Sequence, residues 1–206
     1  MHRAFRDLHG LRFLQIGAND GQRNDPIFSF IRAFGWHGTL VEPNLDFVVK
    51  LESLHRRAPR IRIVPAAIAE GRATRPFYRI DASIPGLPNF AQGLATLDYN
   101  RILTACRDLG LSDSGIVQDM IDVIVWSDLD PESRLAETEV LVIDAEGYDL
   151  TLLRLWDWQR VRPPIVHFEH ACADPAEYRH FLGELSGYGY DYVVEGDNTT
   201  AFLPLH

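Results

Sequence analysis

The chain has 206 residues, 46% of them hydrophobic and 24% charged, with a formal net charge of −9. That length suits one domain with a sizeable core, and the acidic balance speaks against the basic surfaces that nonspecific binding to nucleic acid or to an anionic membrane requires. No apolar run has the length of a membrane span, the first ten residues lack an apolar signal-peptide region, and the distant pair Cys106 and Cys172 implies neither a metal site nor a disulfide framework, so a reducing cytoplasm is the expected compartment.

In chain order, LRFLQI (Leu11 to Ile16) is a first strand that runs into the loop Gly17-Ala-Asn-Asp-Gly21. A helix follows, with Asp25 as its expected N-cap, Pro26 at its first position and Ile27, Phe30, Ile31 and Phe34 on one face. GTLVEP is a second short strand ending at Glu42, and NLDFVVKLESLHRR a second helix. The basic run from Leu54 to Arg62 falls at that helix's end, which suits a solvated C-terminus. IRIVPAAIAE gives a third strand and RPFYRI a further one. Strand–helix–strand–helix–strand is the opening of a parallel sheet covered on both faces.

Residues 81–119 are less regular, rich in Pro, Gly and Asn, with a helix expected over NRILTACRDLGL. A segment of this kind inside one domain is either a lid or substrate-binding loop or structural filler. MIDVIVWSDL then reads as a strand running into a turn, and EVLVIDAEG as a buried strand, Val140 to Ile143, ending in acids and a glycine. YDLTLLRLWDW is a helix, PIVHFEH a strand, and DPAEYRHFLGEL a helix opened by Asp174 and Pro175. YDYVVEG and TTAFLPL flank the turn residues Gly196, Asp197 and Asn198, so the chain ends in an antiparallel hairpin.

Three features carry chemistry. The glycine turn after the first strand puts backbone N–H groups beside a helix start, with Gly17 and Gly21 leaving the main chain bare for a ligand. Glu42, at the end of the second strand, is placed to accept hydrogen bonds from ribose hydroxyls. Together they indicate an adenosine-type nucleoside without choosing between NAD and S-adenosylmethionine, although the loop lacks the G-x-G-x-x-G spacing that suits a pyrophosphate. The third feature lies at the next strand ends, where Asp144 and Glu146 are expected to share a face and Glu169 and His170 stand one strand further along. Acids and a histidine converging there can hold a divalent ion or take the proton of a substrate hydroxyl.

The stretches FLQIGANDG, LVEPN, VPAAIAE, LVIDAEGYDLTLL and GYGYDYVV…TTAFL resemble, in order and over nearly the whole chain, the FkbM family of S-adenosylmethionine-dependent methyltransferases. The resemblance implies an α/β fold of class I methyltransferase (Rossmann-like) type: a doubly wound sheet, mostly parallel, with an antiparallel C-terminal hairpin. It also implies methylation of a hydroxyl on a sugar or natural product. By the same resemblance Gly17, Asn19 and Gly21 wrap the amino-acid part of the cofactor, Glu42 takes the ribose, Ala67 flanks the adenine, and Asp144 lies near the reacting methyl group. Gln15 stands where relatives often carry an acid that helps hold the methionine amino group.

Methyl transfer requires an oxygen held in line with the methyl carbon and stripped of its proton. His170 or Asp144 can act as general base, with Glu169 beside them; alternatively Asp144, Glu169 and His170 hold Mg²⁺ or a similar ion that acidifies the hydroxyl. Phe28, Tyr99, Trp126 and Tyr148 are the aromatics expected either in the core or on the substrate side. The expected partner is a small-molecule or glycan acceptor, with no nucleic acid and no membrane. The rival readings are a nicotinamide-dependent oxidoreductase and a catalytically inactive nucleoside-binding scaffold.

Overall fold

The structure, a computed structural model, describes residues 7–130 and 134–204. The chain opens with β1 (Arg12–Ile16), α1 (Phe28–Phe34), β2 (His37–Val41), α2 (Leu45–His55) and β3 (Ile61–Val64). It continues through β4 (Ala67–Ile68), β5 (Ala73–Ile80), β6 (Ala95–Thr96), α3 (Tyr99–Asp108) and β7 (Ile116–Ile124). It closes with β8 (Val140–Ile143), α4 (Asp149–Leu155), β9 (Ile165–Glu169), α5 (Pro175–Gly187), β10 (Asp191–Glu195) and β11 (Asn198–Phe202).

Seven strands form the main sheet in the order β10–β11–β9–β8–β1–β2–β3. The pairs from β9 to β3 are parallel, while β11 runs antiparallel to β9 and to β10. This is the expected doubly wound sheet with its antiparallel hairpin. Alternation along β1 explains the two covered faces. Leu14 and Ile16 join the core under α4 and α5, with Phe168, Phe181 and Leu185. Phe13 faces the opposite core, with Ile31, Trp36 and Leu51 from the α1–α2 side. The four residues of β8 are all buried, as a strand covered on both faces must be. Each large apolar side chain buried this way contributes roughly 1.5–3 kcal/mol relative to leaving it in water.

The stretch after β3 departs from expectation. Pro65 has no N–H to continue the β3 ladder. The chain leaves the main sheet there, so that IRIVPAAIAE becomes two strands in two sheets. The second sheet has the order β4–β7–β5–β6, with β5 and β7 a long antiparallel pair from Ala73↔Val123 to Ile80↔Ile116. Helix α3 buries Ile102 and Cys106 against Ile80 and Ala91, a small core of its own. Residues 81–119 thus contain a helix, a short strand and the first part of β7, which begins at Ile116, ahead of the expected start. Helix α1 begins later than expected. Asp25 Oδ1 accepts the amides of Ile27 and Phe28 at 2.8 and 2.6 Å, winding the turn ahead of the helix, and Ile27 is the N-cap. No described helix is long and apolar enough to cross a membrane. Cys106 is buried and Cys172 exposed, both as free thiols.

Candidate active site

The carboxyl ends of β1, β2, β8 and β9 converge on one side of a cavity of about 900 Å³, near the upper end for a small-molecule site. The second sheet and α3 close the other side, contributing Arg75, Phe77, Thr96 and Arg101 among others. Ligands bind at this edge of open α/β sheets because the strand ends present loops and helix starts in one crevice.

The glycine turn is shaped mainly by protein packing. Gly17 has φ +76° and Gly21 φ +68°. A β-carbon on Gly17 would lie 1.7 Å from the Asp144 carbonyl oxygen, and one on Gly21 2.4 Å from Leu51 Cδ2. The absent side chain at 17 lets the tips of β1 and β8 meet; the one at 21 lets the turn settle on α2. The expectation that both glycines bare the chain for a ligand is corrected accordingly: Gly17 and Asn19 line the cavity and Gly21 does not. Asn19 itself is left-handed, with φ +49°.

Glu42 fixes this turn. Its Oε2 accepts the Asn19 amide and its Oε1 the Asn44 amide, both at 2.8 Å. Only 5% exposed, it is pushed up to about 7, chiefly by burial and with a contribution from Asp144, against the pull of the two amides. Each oxygen still has a lone pair available for a ligand hydroxyl. Beneath the turn, Gln15 Nε2 donates to Asp25 Oδ2 at 2.8 Å. A carboxylate there fixes the amide's orientation and leaves Gln15 Oε1 buried without a partner.

The loop after β8 is the second anchor. Asp144 and Glu146 do not share a strand face, because β8 stops at Ile143 and Glu146 turns left-handed at φ +50°. Asp149 holds the loop from below, accepting the amides of Gly147 at 3.0 Å and Ala145 at 3.3 Å. The sequence reading missed this residue; its signal was an acid two positions past the glycine, in the first turn of a helix. The Asp144 side chain opens into the cavity, yet the surrounding walls remove much of its bulk water. This burial, then Glu169 and Asp25, pushes it up to about 6. Burial and the neighbouring Asp144 push Glu146 up to about 8 and Asp149 to about 7. Tyr148 donates to Glu70 at 2.5 Å, tying this loop to the segment after β4.

Asp144, Glu169, Glu42, Asn19, Gly17 and Ala67 all line the cavity; His170 does not. Its ring stacks on Tyr178 with centroids 4.5 Å apart, and its Nδ1 lies 3.1 Å from Thr199 Oγ1. The expected trio of Asp144, Glu169 and His170 is therefore not assembled. Among the described residues no group of three or more His, Cys, Asp or Glu is placed to hold a metal ion. Glu169 does turn inward, with its Oε2 buried and unpartnered. Of the four aromatics, Tyr148 alone lines the cavity: Tyr99 packs edge-on against Tyr78, Trp126 packs edge-on against Trp156, and Phe28 begins α1.

The profile of the Methyltransferase FkbM domain matches residues 15–192, most of the chain and both anchors. The chain belongs to the FkbM methyltransferase family. No curated protein sequence matches it. Among solved structures, the FkbM methyltransferase from Methylobacillus flagellatus KT is similar at 13% identity, with a TM-score of 0.58. That match covers 96% of this chain and 44% of the other, so the FkbM chain described here spans less than half the length of that relative. The precorrin-6y C5,15-methyltransferase from Geobacter metallireducens matches at 11% identity and TM-score 0.46, covering 97% and 83% of the two chains. An S-adenosylmethionine-dependent methyltransferase from Geobacter sulfurreducens, in complex with S-adenosyl-L-homocysteine, matches at 14% and 0.43, covering 93% and 61%. At these identities the likeness to the M. flagellatus structure speaks for the fold: the class I methyltransferase arrangement already seen in the strand order.

Proposed function

We propose that this chain is an S-adenosylmethionine-dependent O-methyltransferase acting on a hydroxyl of a sugar or natural-product small molecule. The observation that carries the reading is Glu42: a buried carboxylate at the tip of β2, spending one lone pair per oxygen on the glycine turn and keeping the others for vicinal hydroxyls. When bound, S-adenosylmethionine supplies an electrophilic methyl carbon on a sulfonium.

In this reading Gly17 and Asn19 support the amino-acid end, Glu42 accepts from the ribose, and Ala67, with Ala66 and Ile68, flanks the adenine. Asp144 stands at the strand end beside the turn, where the acceptor hydroxyl must lie. At neutral pH it is largely ionised, since its carboxyl is pushed only to about 6, and it takes the hydroxyl proton as attack proceeds. Glu169 faces the same space and keeps Asp144 basic by repulsion. His170 contributes by fixing the end of β9 against α5 through Thr199 and Tyr178. Residues 81–119, carrying α3, cover the acceptor as one part of a single methyltransferase domain.

The test is calorimetric titration of the protein with S-adenosylmethionine and, separately, with NAD. Saturable one-site binding of the first and none of the second is expected. Binding of NAD alone, or of neither compound, overturns the proposal.

A further inference from the structure

Two cations line the cleft, Arg75 on β5 and Arg101 on α3, and both come from the second layer. Two further arginines of that layer are paired: Arg79 Nε lies 2.7 Å from Asp119 Oδ2, and Arg72 pairs with Asp128. Among the described residues, no carboxylate forms an ion pair within 4.0 Å of Arg75 or Arg101. Arg101 is nevertheless closely seated. A β-carbon on Gly147 would lie 2.3 Å from its Nη1 and 2.5 Å from its Cζ. The bare backbone at 147 is what lets the guanidinium lie across the loop that carries Asp144. Glu146 and Glu169 feel its charge, which favours their ionised forms, without closing on it.

A guanidinium that lines the cavity with its donors unspent is prepared for an oxyanion that can accept paired hydrogen bonds. We propose that Arg101 and Arg75 recognise an anionic group, a carboxylate or a phosphate, on the methyl acceptor. The inference rests on the methyltransferase reading in that the anion belongs to the acceptor. The cleft carries both signs: Asp144 and Glu169 repel an anion, while Arg75 and the Arg101 guanidinium, lying across Gly147, attract one. An acceptor with one charged group therefore binds with its anion on the two guanidiniums and its hydroxyl on Asp144.

The experiment titrates inorganic phosphate and acetate into protein saturated with S-adenosylhomocysteine, following amide chemical shifts. Wild type, Arg101→Gln, Arg101→Lys and Arg75→Gln are compared, with melting temperatures confirming that each variant is folded. Wild type is expected to bind at least one of the anions saturably, and the stronger binder identifies the group. Each Gln variant should weaken that binding about tenfold, the loss of one charged hydrogen-bonded contact, and Arg101→Lys should retain part of it. Affinity for S-adenosylhomocysteine should stay within about twofold in all variants. The proposal is overturned by the absence of saturable anion binding in wild type, or by equal anion affinity in wild type and both Gln variants. It is also overturned if Arg101→Gln weakens S-adenosylhomocysteine and leaves the anion untouched, which would put the guanidinium on the cofactor's own carboxylate. If wild type fails to bind S-adenosylhomocysteine at all, the cofactor reading has failed; the same titration of the unloaded protein still tests the arginines.

Discussion

The sheet-edge wall of the cleft and the wall made by the second layer spend their polar groups in opposite ways. On the sheet side two carboxylates hold the loops through the backbone: Glu42 accepts the Asn19 and Asn44 amides, and Asp149 those of Ala145 and Gly147. On the inserted side the two arginines facing the cavity hold no ion pair among the described residues. The first wall is preorganised, since its geometry is fixed by its own hydrogen bonds before any ligand arrives. The second keeps its charges for what enters. A rigid wall suits the part of a reaction that stays constant; a wall with unspent charges suits the part that confers selectivity.

The sharpest way to break this contrast is Asp144→Asn. If Asp144 is the base, kcat should fall about 10²–10⁴-fold while affinity for S-adenosylmethionine changes little. The acid limb of the wild-type rate profile, expected near pH 6 from the raised carboxyl, should vanish with it. An unchanged limb in the variant would assign the proton to another group.

A glycine pair probes rigidity directly. Gly17→Ala places a methyl group against the Asp144 carbonyl in a left-handed residue and should cost about 3 kcal/mol in denaturant unfolding. Gly71→Ala, in the connection between β4 and β5, meets nothing within 4 Å and should fall within about 0.5 kcal/mol of wild type. Equal costs would mean that the two walls do not differ in this way.

Glu42→Ala removes the acceptor for two amides and for the ribose together. Calorimetry should show S-adenosylmethionine binding weakened about a hundredfold, against about twofold or less for Arg75→Gln. The smallest expected effect concerns pH. Carboxyls in the unfolded chain release their protons near pH 4, whereas folding holds Asp144 to about 6, Glu42 and Asp149 to about 7, and Glu146 to about 8. The folded state binds more protons in that interval, so this contribution to stability is full below pH 4 and is lost as pH rises toward 8. The melting temperature of ligand-free protein should therefore drop by a few degrees between pH 5.5 and pH 8, and less when the cationic cofactor saturates the site. A melting temperature that rises over this interval would contradict the assignment.

Much of the first wall was legible in the chain. β1, β2 and β8 follow from apolar runs, and Glu42 and Asp144 from their places at strand ends, because period and punctuation are local properties. The reason for the glycines was not legible: what Gly17 and Gly21 avoid is a carbonyl and a leucine remote in sequence. His170 shows the same limit. At the end of β9 it looked like a cleft residue, but β11 brings Thr199 beside it and α5 brings Tyr178 to its ring, and together these hold it aside.

The sequence by itself determined the alternation that buries both faces of the sheet, the order of strands and helices, and the family to which the chain belongs. These rest on side-chain period, caps and turn residues, which act within a few positions of the chain. The tertiary structure alone decided that Pro65 sends the chain into a second sheet, that Glu169 faces inward while its neighbour does not, and that Arg101 lies across Gly147. Each of these depends on elements meeting from distant parts of the chain, and no local pattern encodes which surfaces will meet.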